Sequence, residues 1–327
     1  MPAGAEVRVK SSIFSHISSD GKAIAVSRWL PEDKPKAILL VAHGMAEHSA
    51  RYGNLAEALA SDGWAVYAPD HRGHGRTSGP GERGWLAERD GFARIRDDLH
   101  EISRDAASEH EGVPLFLLGH SMGSVLAETY LAAYGRELSG CVLSGVVAPP
   151  PRLASAFGLM VAAVGSALKG QRSPSKFLHG MSFASNNKDF QPSRTSSDWL
   201  SRDPDEVDKY IADPLCGFVC SFGFYRDFLS ALRRLYGPSS LLAGLPKHLP
   251  VLIVAGAEDP VGGASGFVPI LADRLKAAGL DSVDTRIYPG ARHEVLNETN
   301  RAEVIRDIAE WLDGARGAAR AAAKAEG

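Results

Sequence analysis

A chain of 327 residues, 44% of them hydrophobic, can bury a large core in one domain or in one domain carrying a substantial insertion. Its 36 Lys and Arg against 39 Asp and Glu give a formal net charge of -3, which excludes the broad basic field of a nucleic-acid-binding protein. Cys141, Cys216 and Cys220 are too few and too irregular for a disulfide framework, and no histidine stands at ligand spacing from the last two to suggest zinc, so the usage fits a reducing compartment.

The amino terminus, MPAGAEVRVK, lacks the apolar run of a secretory signal, and no uninterrupted apolar stretch reaches bilayer length; the chain reads as soluble and cytoplasmic. Ser12 to Ser18 and Lys22 to Leu30 alternate like strands about a turn at Asp20-Gly21. Ala37 to Ala42 is a short, wholly apolar run, expected of a central strand covered on both faces. A helix over Tyr52 to Leu59 follows, then a strand at Trp64 to Ala68, a polar Gly-rich loop from Asp70 to Pro80, and a helix from about Glu88 to Ser108. Leu115 to Leu118 reads as a strand, Met122 to Tyr134 as a helix and Cys141 to Val147 as a further strand. The rhythm implies a mostly parallel sheet layered by helices on both sides.

It breaks between Ala148 and Leu249, where helical pieces at Leu153 to Leu168 and Phe222 to Leu235 flank a polar segment. Strands at Val251 to Ala255 and Asp284 to Tyr288, with helices at Phe267 to Ala278 and Arg301 to Leu312, then resume it. The predicted organisation is a core of residues 1–147 and 250–313, a mainly helical insertion over 148–249, and an Ala-rich tail over 314–327 that either prolongs the last helix or frays.

Gly119-His120-Ser121-Met122-Gly123 lies between a predicted buried strand and a helix. Small residues at 119 and 123 allow a tight turn that pushes the Ser121 hydroxyl out at the carboxyl end of the sheet. A serine hydroxyl needs a base to take its proton and an acid to orient that base. Two later strands run into Gly256-Ala-Glu-Asp-Pro260 and Pro289-Gly-Ala-Arg-His293, which offers Asp259 as the acid, with Glu258 and Asp284 as competitors, and His293 as the base. His43, His71, His74 and His120 precede or adjoin the serine, and His120 is expected to point away from it. The order Ser121, Asp259, His293 is that of α/β-hydrolases. An oxyanion needs donors: the backbone N–H of Met122 at a helix start is one, and Met45 N–H in the loop after the first buried strand is the other.

With His43-Gly-Met-Ala-Glu-His-Ser49, Arg51-Tyr52, Asp70-His-Arg-Gly-His-Gly75, the serine elbow and Gly290-Ala-Arg-His-Glu294, the chain resembles the monoacylglycerol lipase and lysophospholipase family of α/β-hydrolases from about Ser12 to Leu312. The resemblance places the same triad on Ser121, Asp259 and His293 and the oxyanion donors on Met45 and Met122. It makes the insertion a cap over the site, with Phe157, Leu159, Met160, Leu178, Phe218, Phe222, Phe224 and Leu229 as candidate acyl-chain contacts, about half of them expected only to pack on the core.

The implied reaction is hydrolysis of a single-chain lipid ester through an acyl-enzyme, without cofactor or metal, and with transient contact at a membrane surface. The Asp70 to Gly75 loop is read as structural, and no Gly-x-Gly-x-x-Gly opens a strand–helix unit for a dinucleotide. A short-chain carboxylesterase, an amidase or aminopeptidase with the same triad, and a non-catalytic binding protein are the competing readings.

Overall fold

Runs of apolar, β-rich residues form eight strands: β1 (Lys10–Ile17), β2 (Ala23–Leu30), β3 (Ala37–Ala42), β4 (Trp64–Pro69), β5 (Leu115–His120), β6 (Gly140–Ser144), β7 (Val251–Gly256) and β8 (Val283–Tyr288). The computed structural model describes residues 9–237 and 240–325, with side chains described through 318, so residues 1–8 of the amino-terminal stretch read above lie outside it. The strands make one sheet in the order β1-β2-β4-β3-β5-β6-β7-β8. β1, β2 and β4 pair antiparallel in succession, and every pair from β4 to β8 is parallel.

The unbroken apolar runs are explained by cover on both faces. On β3, Ile38, Leu40 and Ala42 enter one core cluster while Ala37, Leu39 and Val41 enter the other, as the two-residue period of a strand requires. The first face is roofed by α2 (Gly91–Glu109), α3 (Met122–Tyr134) and α8 (Phe267–Ala277), and the second by α1 (Gly53–Ser61) and α9 (Arg301–Ala325). α9 runs through the Ala-rich stretch, so the tail prolongs the last helix as far as Ala325.

Between β6 and β7 the chain leaves the sheet and builds α4 (Arg152–Lys169), α5 (Lys176–Phe183), α6 (Pro204–Ala212) and α7 (Phe222–Tyr236). α7 starts where Ser221 Oγ accepts from Phe224 N at 3.1 Å, and its Phe224, Phe228, Leu232 and Leu235 form a buried stripe at helical spacing. Each such side chain contributes roughly 1.5–3 kcal/mol to holding the cap on the core.

α4 is different: its Leu153, Phe157, Met160, Val164 and Leu168 form an exposed stripe. Among the described residues it is the one helix long and apolar enough, by length and composition, to cross a membrane. Gly, Ala and Ser interleave its large side chains, so it does not stand out in the sequence as an uninterrupted apolar run.

Candidate active site

β5 ends at His120 and α3 begins at Met122, leaving Ser121 alone in the turn at φ 53 and ψ -119. A non-glycine residue there costs of order 1–3 kcal/mol, so its surroundings must hold it. Ser121 N donates to Ser144 O at 2.9 Å, and Ser121 O accepts from Ser124 N at 2.8 Å and Ser124 Oγ at 2.7 Å. The flanking glycines are a packing necessity. A Cβ on Gly119 would lie 2.1 Å from Gly123 O, and one on Gly123 would lie 2.0 Å from Ala42 O.

Two other strands bring the partners. Beyond β7, Asp259 is fully buried with its carboxylate oxygens 2.9 and 3.0 Å from His293 Nδ1, and Val261 N donates to Oδ1 at 2.9 Å. Glu258 is exposed and Asp284 accepts from Trp311 Nε1 at 2.8 Å, so among the three candidate acids the fold brings Asp259 to the imidazole. Burial works to lower the His293 pKa, but the Asp259 charge and hydrogen bond outweigh it and raise the pKa above the ordinary value. The His120 ring centroid lies 4.8 Å from that of His293 and its Nδ1 3.2 Å from Ser144 Oγ, and burial lowers its pKa to about 4.

The loop after β3 is pressed on the serine, since a Cβ on Gly44 would fall 3.2 Å from Ser121 Cβ. Glu47 fixes that loop by accepting from Gly44 N, from Tyr52 Oη at 2.7 Å and from Arg51 Nε at 3.0 Å. Arg51 also bonds Glu294, which follows the histidine. Met45 N–H finds no backbone acceptor among the described residues. Met122 N–H is one of the donors that a helix start leaves without an intrahelical partner.

Ser121 and His293 open with Met45 and Met122 onto a cavity of about 410 Å³. Its polar lining comes from core loops, including Glu47, His120 and Glu294, and from Ser182, Asn186 and Tyr210 of the cap, which also supplies Leu178, Met181, Phe183, Trp199, Phe228 and Leu229. Of the eight cap residues proposed from sequence, Leu178 and Leu229 are therefore at the cavity. Phe157 and Met160 face outward, and Leu159 is partly buried on α4 outside the lining. Phe222 packs on Gly165, Phe224 on His74 and Phe228, and Phe218 on His74. Trp199, in an irregular segment, and Phe183 and Tyr210, on the short helices α5 and α6, were missed because sequence shows which side chains are apolar, not which way the cap turns them. Trp199 stands with its ring centroid 5.1 Å from His293 and its carbonyl accepting from His293 N at 3.4 Å.

The Asp70 to Gly75 loop is bonded to the segments around it, although His71 Nε2 and His74 Nε2 are buried without a partner. Asp70 accepts from Ser49 N and Arg76 N, His71 N donates to His43 Nε2, and Arg72 pairs with Asp20 and Asp98.

Residues 33–300 match the family described as serine aminopeptidase, S33. The chain belongs to that family. It is 31% identical over 296 residues to the monoacylglycerol lipase of Mycolicibacterium smegmatis, covering 89% of this chain and 93% of that one. It is 30% identical over 300 residues to the human monoglyceride lipase, covering 90% and 88%. A thermostable carboxyl esterase from Bacillus coagulans, solved with glycerol, superposes with a TM-score of 0.84 at 29% identity over 94% of this chain and 99% of the other. Family and fold together make this S33 protein an enzyme of the serine-hydrolase type with the α/β-hydrolase architecture.

Proposed function

We propose that the protein hydrolyses single-chain acyl esters with a small alcohol part, of the monoacylglycerol or lysophospholipid kind, through an acyl-enzyme on Ser121. The observation that supports this most is the cavity itself: a strained serine and an Asp259-bonded histidine share it with a largely apolar cap wall. His293 Nε2 takes the Ser121 proton as Oγ attacks the ester carbonyl, and Asp259 orients the ring and stabilises the imidazolium. The N–H groups of Met45 and Met122 receive the oxyanion. The imidazolium then protonates the departing alcohol, and water repeats the sequence to release the acid.

The names of the relatives favour an ester over an amide. Glu47 and Glu294 could anchor a substrate ammonium, as an aminopeptidase requires, but both are paired with Arg51. The three free cysteines support a cytoplasmic location. The exposed α4 stripe, continued by Phe177 and Met181 and bracketed by Arg152, Lys169 and Lys176, supports contact with a lipid surface.

The test is a matrix of acyl lengths against headgroups, with an aminoacyl amide included and substrates kept below aggregation. Burying a methylene is worth roughly 0.8 kcal/mol, so kcat/KM should rise about fourfold per carbon until the cavity is full. A flat dependence on length would move the reading to a short-chain esterase, and faster turnover of the amide than of every ester would move it to a peptidase.

A further inference from the structure

Cap residues 210–217 press on the loop after β3. Gly217 N donates to Ala46 O at 2.9 Å, and Tyr210 Oη reaches the same oxygen at 3.4 Å. Beside this seam, His48 Nε2 lies 2.9 Å from Asp213 Oδ2, a contact spanning 165 positions of sequence. Asp213 is held in a tight turn, its Oδ1 accepting from Leu215 N at 2.8 Å and its carbonyl from Cys216 N at 3.0 Å, which aims Asp213 and Cys216 at the same place. One ligand atom from each of His48, Asp213 and Cys216 lies within 4.8 Å of the other two.

We propose that His48, Asp213 and Cys216 form a site for a divalent cation of the zinc class, which clamps the cap to the loop carrying Met45. An imidazole nitrogen, a carboxylate oxygen and a thiolate sulfur are the donor set that suits a borderline-soft, tetrahedral ion. Bonds of roughly 2.0–2.3 Å hold tetrahedral ligands roughly 3.3–3.7 Å apart. The three atoms therefore need to converge by about an ångström at most, and the His48–Asp213 pair to open by a few tenths. His48 is buried with its Nε2 already turned to the Asp213 carboxylate across the seam, while its Nδ1, on the other side of the ring, has no hydrogen-bond partner. The Asp213 side chain is 32% exposed, which leaves a path for the ion and a place for a water as fourth ligand. Binding releases the Cys216 thiol proton to water as the metal–sulfur bond forms. The site is separate from the proposed ester chemistry, which needs no metal. Local spacing does not reveal it, because the histidine stands 165 positions before Asp213 in the sequence and meets it only in the fold.

Titrating the full chain with Co²⁺ tests this. The wild type should take up one equivalent, with a thiolate-to-cobalt charge-transfer band that Zn²⁺ displaces, and Zn²⁺ should raise its melting temperature. Cys216→Ser should abolish the band and the thermal shift, His48→Gln should do the same, and Cys220→Ser should keep both. Asp213→Asn, which leaves the other two donors in place, should weaken binding roughly tenfold or more. Circular dichroism confirms that each variant folds, and the wild-type titration stands without any of them. No charge-transfer band at millimolar Co²⁺ in the wild type, or a band that survives Cys216→Ser, overturns the proposal.

Discussion

Gly123→Ala adds one methyl group at the point where α3 starts against the end of β3. The new Cβ would sit 2.0 Å from Ala42 O, 2.6 Å from Ala42 C and 2.8 Å from His43 O, all backbone atoms that no rotamer change can move away. To regain ordinary contact, the elbow and β3 must separate by about 1.4 Å. Ala42 is the residue paired with Gly119 at the end of the β3–β5 ladder, and His43 leads into Gly44 and Met45, so the separation disturbs both the serine and the oxyanion loop. Overpacking of this kind costs roughly 3 kcal/mol, or about 4 °C in melting temperature for a chain of this length. A misplacement of about 1 Å in the reacting groups adds roughly a hundredfold loss of kcat/KM. Thermal melts and hydrolysis of a soluble short-chain ester measure both. Gly53→Ala is the internal control, because a Cβ there meets nothing within 4 Å and a helix gains from alanine. A Gly123→Ala protein that melts with the wild type and keeps its activity within twofold would refute the packing argument for the elbow.

Asp259→Asn should lower kcat/KM by roughly 10⁴-fold by holding His293 in the wrong tautomer, whereas Glu258→Gln at its exposed position should stay near wild type; the reverse outcome would reassign the acid. Only neutral His293 acts as base, and its raised pKa means protonation begins at higher pH than for a free imidazole. The acid limb of kcat/KM should therefore lie above about 6.5 and flatten toward alkaline pH, and a limb well below 6 would contradict the ion pair. Glu128 is buried behind the elbow with only Tyr236 Oη, 2.6 and 2.7 Å away, as its hydrogen-bond partner among the described residues, and burial raises its pKa to about 8. The folded state then holds a proton that the unfolded state has lost between pH 4.5 and 8, so this group's stabilisation declines as pH rises through that window. Glu128→Gln should melt progressively higher relative to wild type from pH 5 to pH 9, by the equivalent of a few kcal/mol, and a constant difference would show that the carboxyl is not held protonated.

Strands were legible at 37–42, 64–68, 115–118 and 251–255, the last three running one or two residues further in the structure, because burial on both faces leaves apolar runs with no alternation, and the elbow because its glycines flank a serine between strand and helix. Asp259 and His293 were legible from their places just past strand ends. The expected strand over Cys141 to Val147 stops at Ser144, where Gly145 takes φ 55 and turns the chain toward the cap. The cavity wall was the least legible part. α4 carries the apolar period of a packed helix, yet Leu153, Phe157 and Met160 face outward, while Trp199 reaches His293 from a segment with no period at all. Long-range pairings such as His48 with Asp213 leave no trace in local pattern.

The central claim is that Ser121 is the acylated nucleophile. Intact-mass analysis of the folded protein after treatment with a fluorophosphonate ester measures it directly, with peptide mapping to locate the adduct. The expected result is one adduct per chain on the peptide containing Ser121, absent from Ser121→Ala and strongly slowed in a His293 variant. A folded wild type that stays unlabelled, or an adduct that persists in Ser121→Ala, would contradict the account.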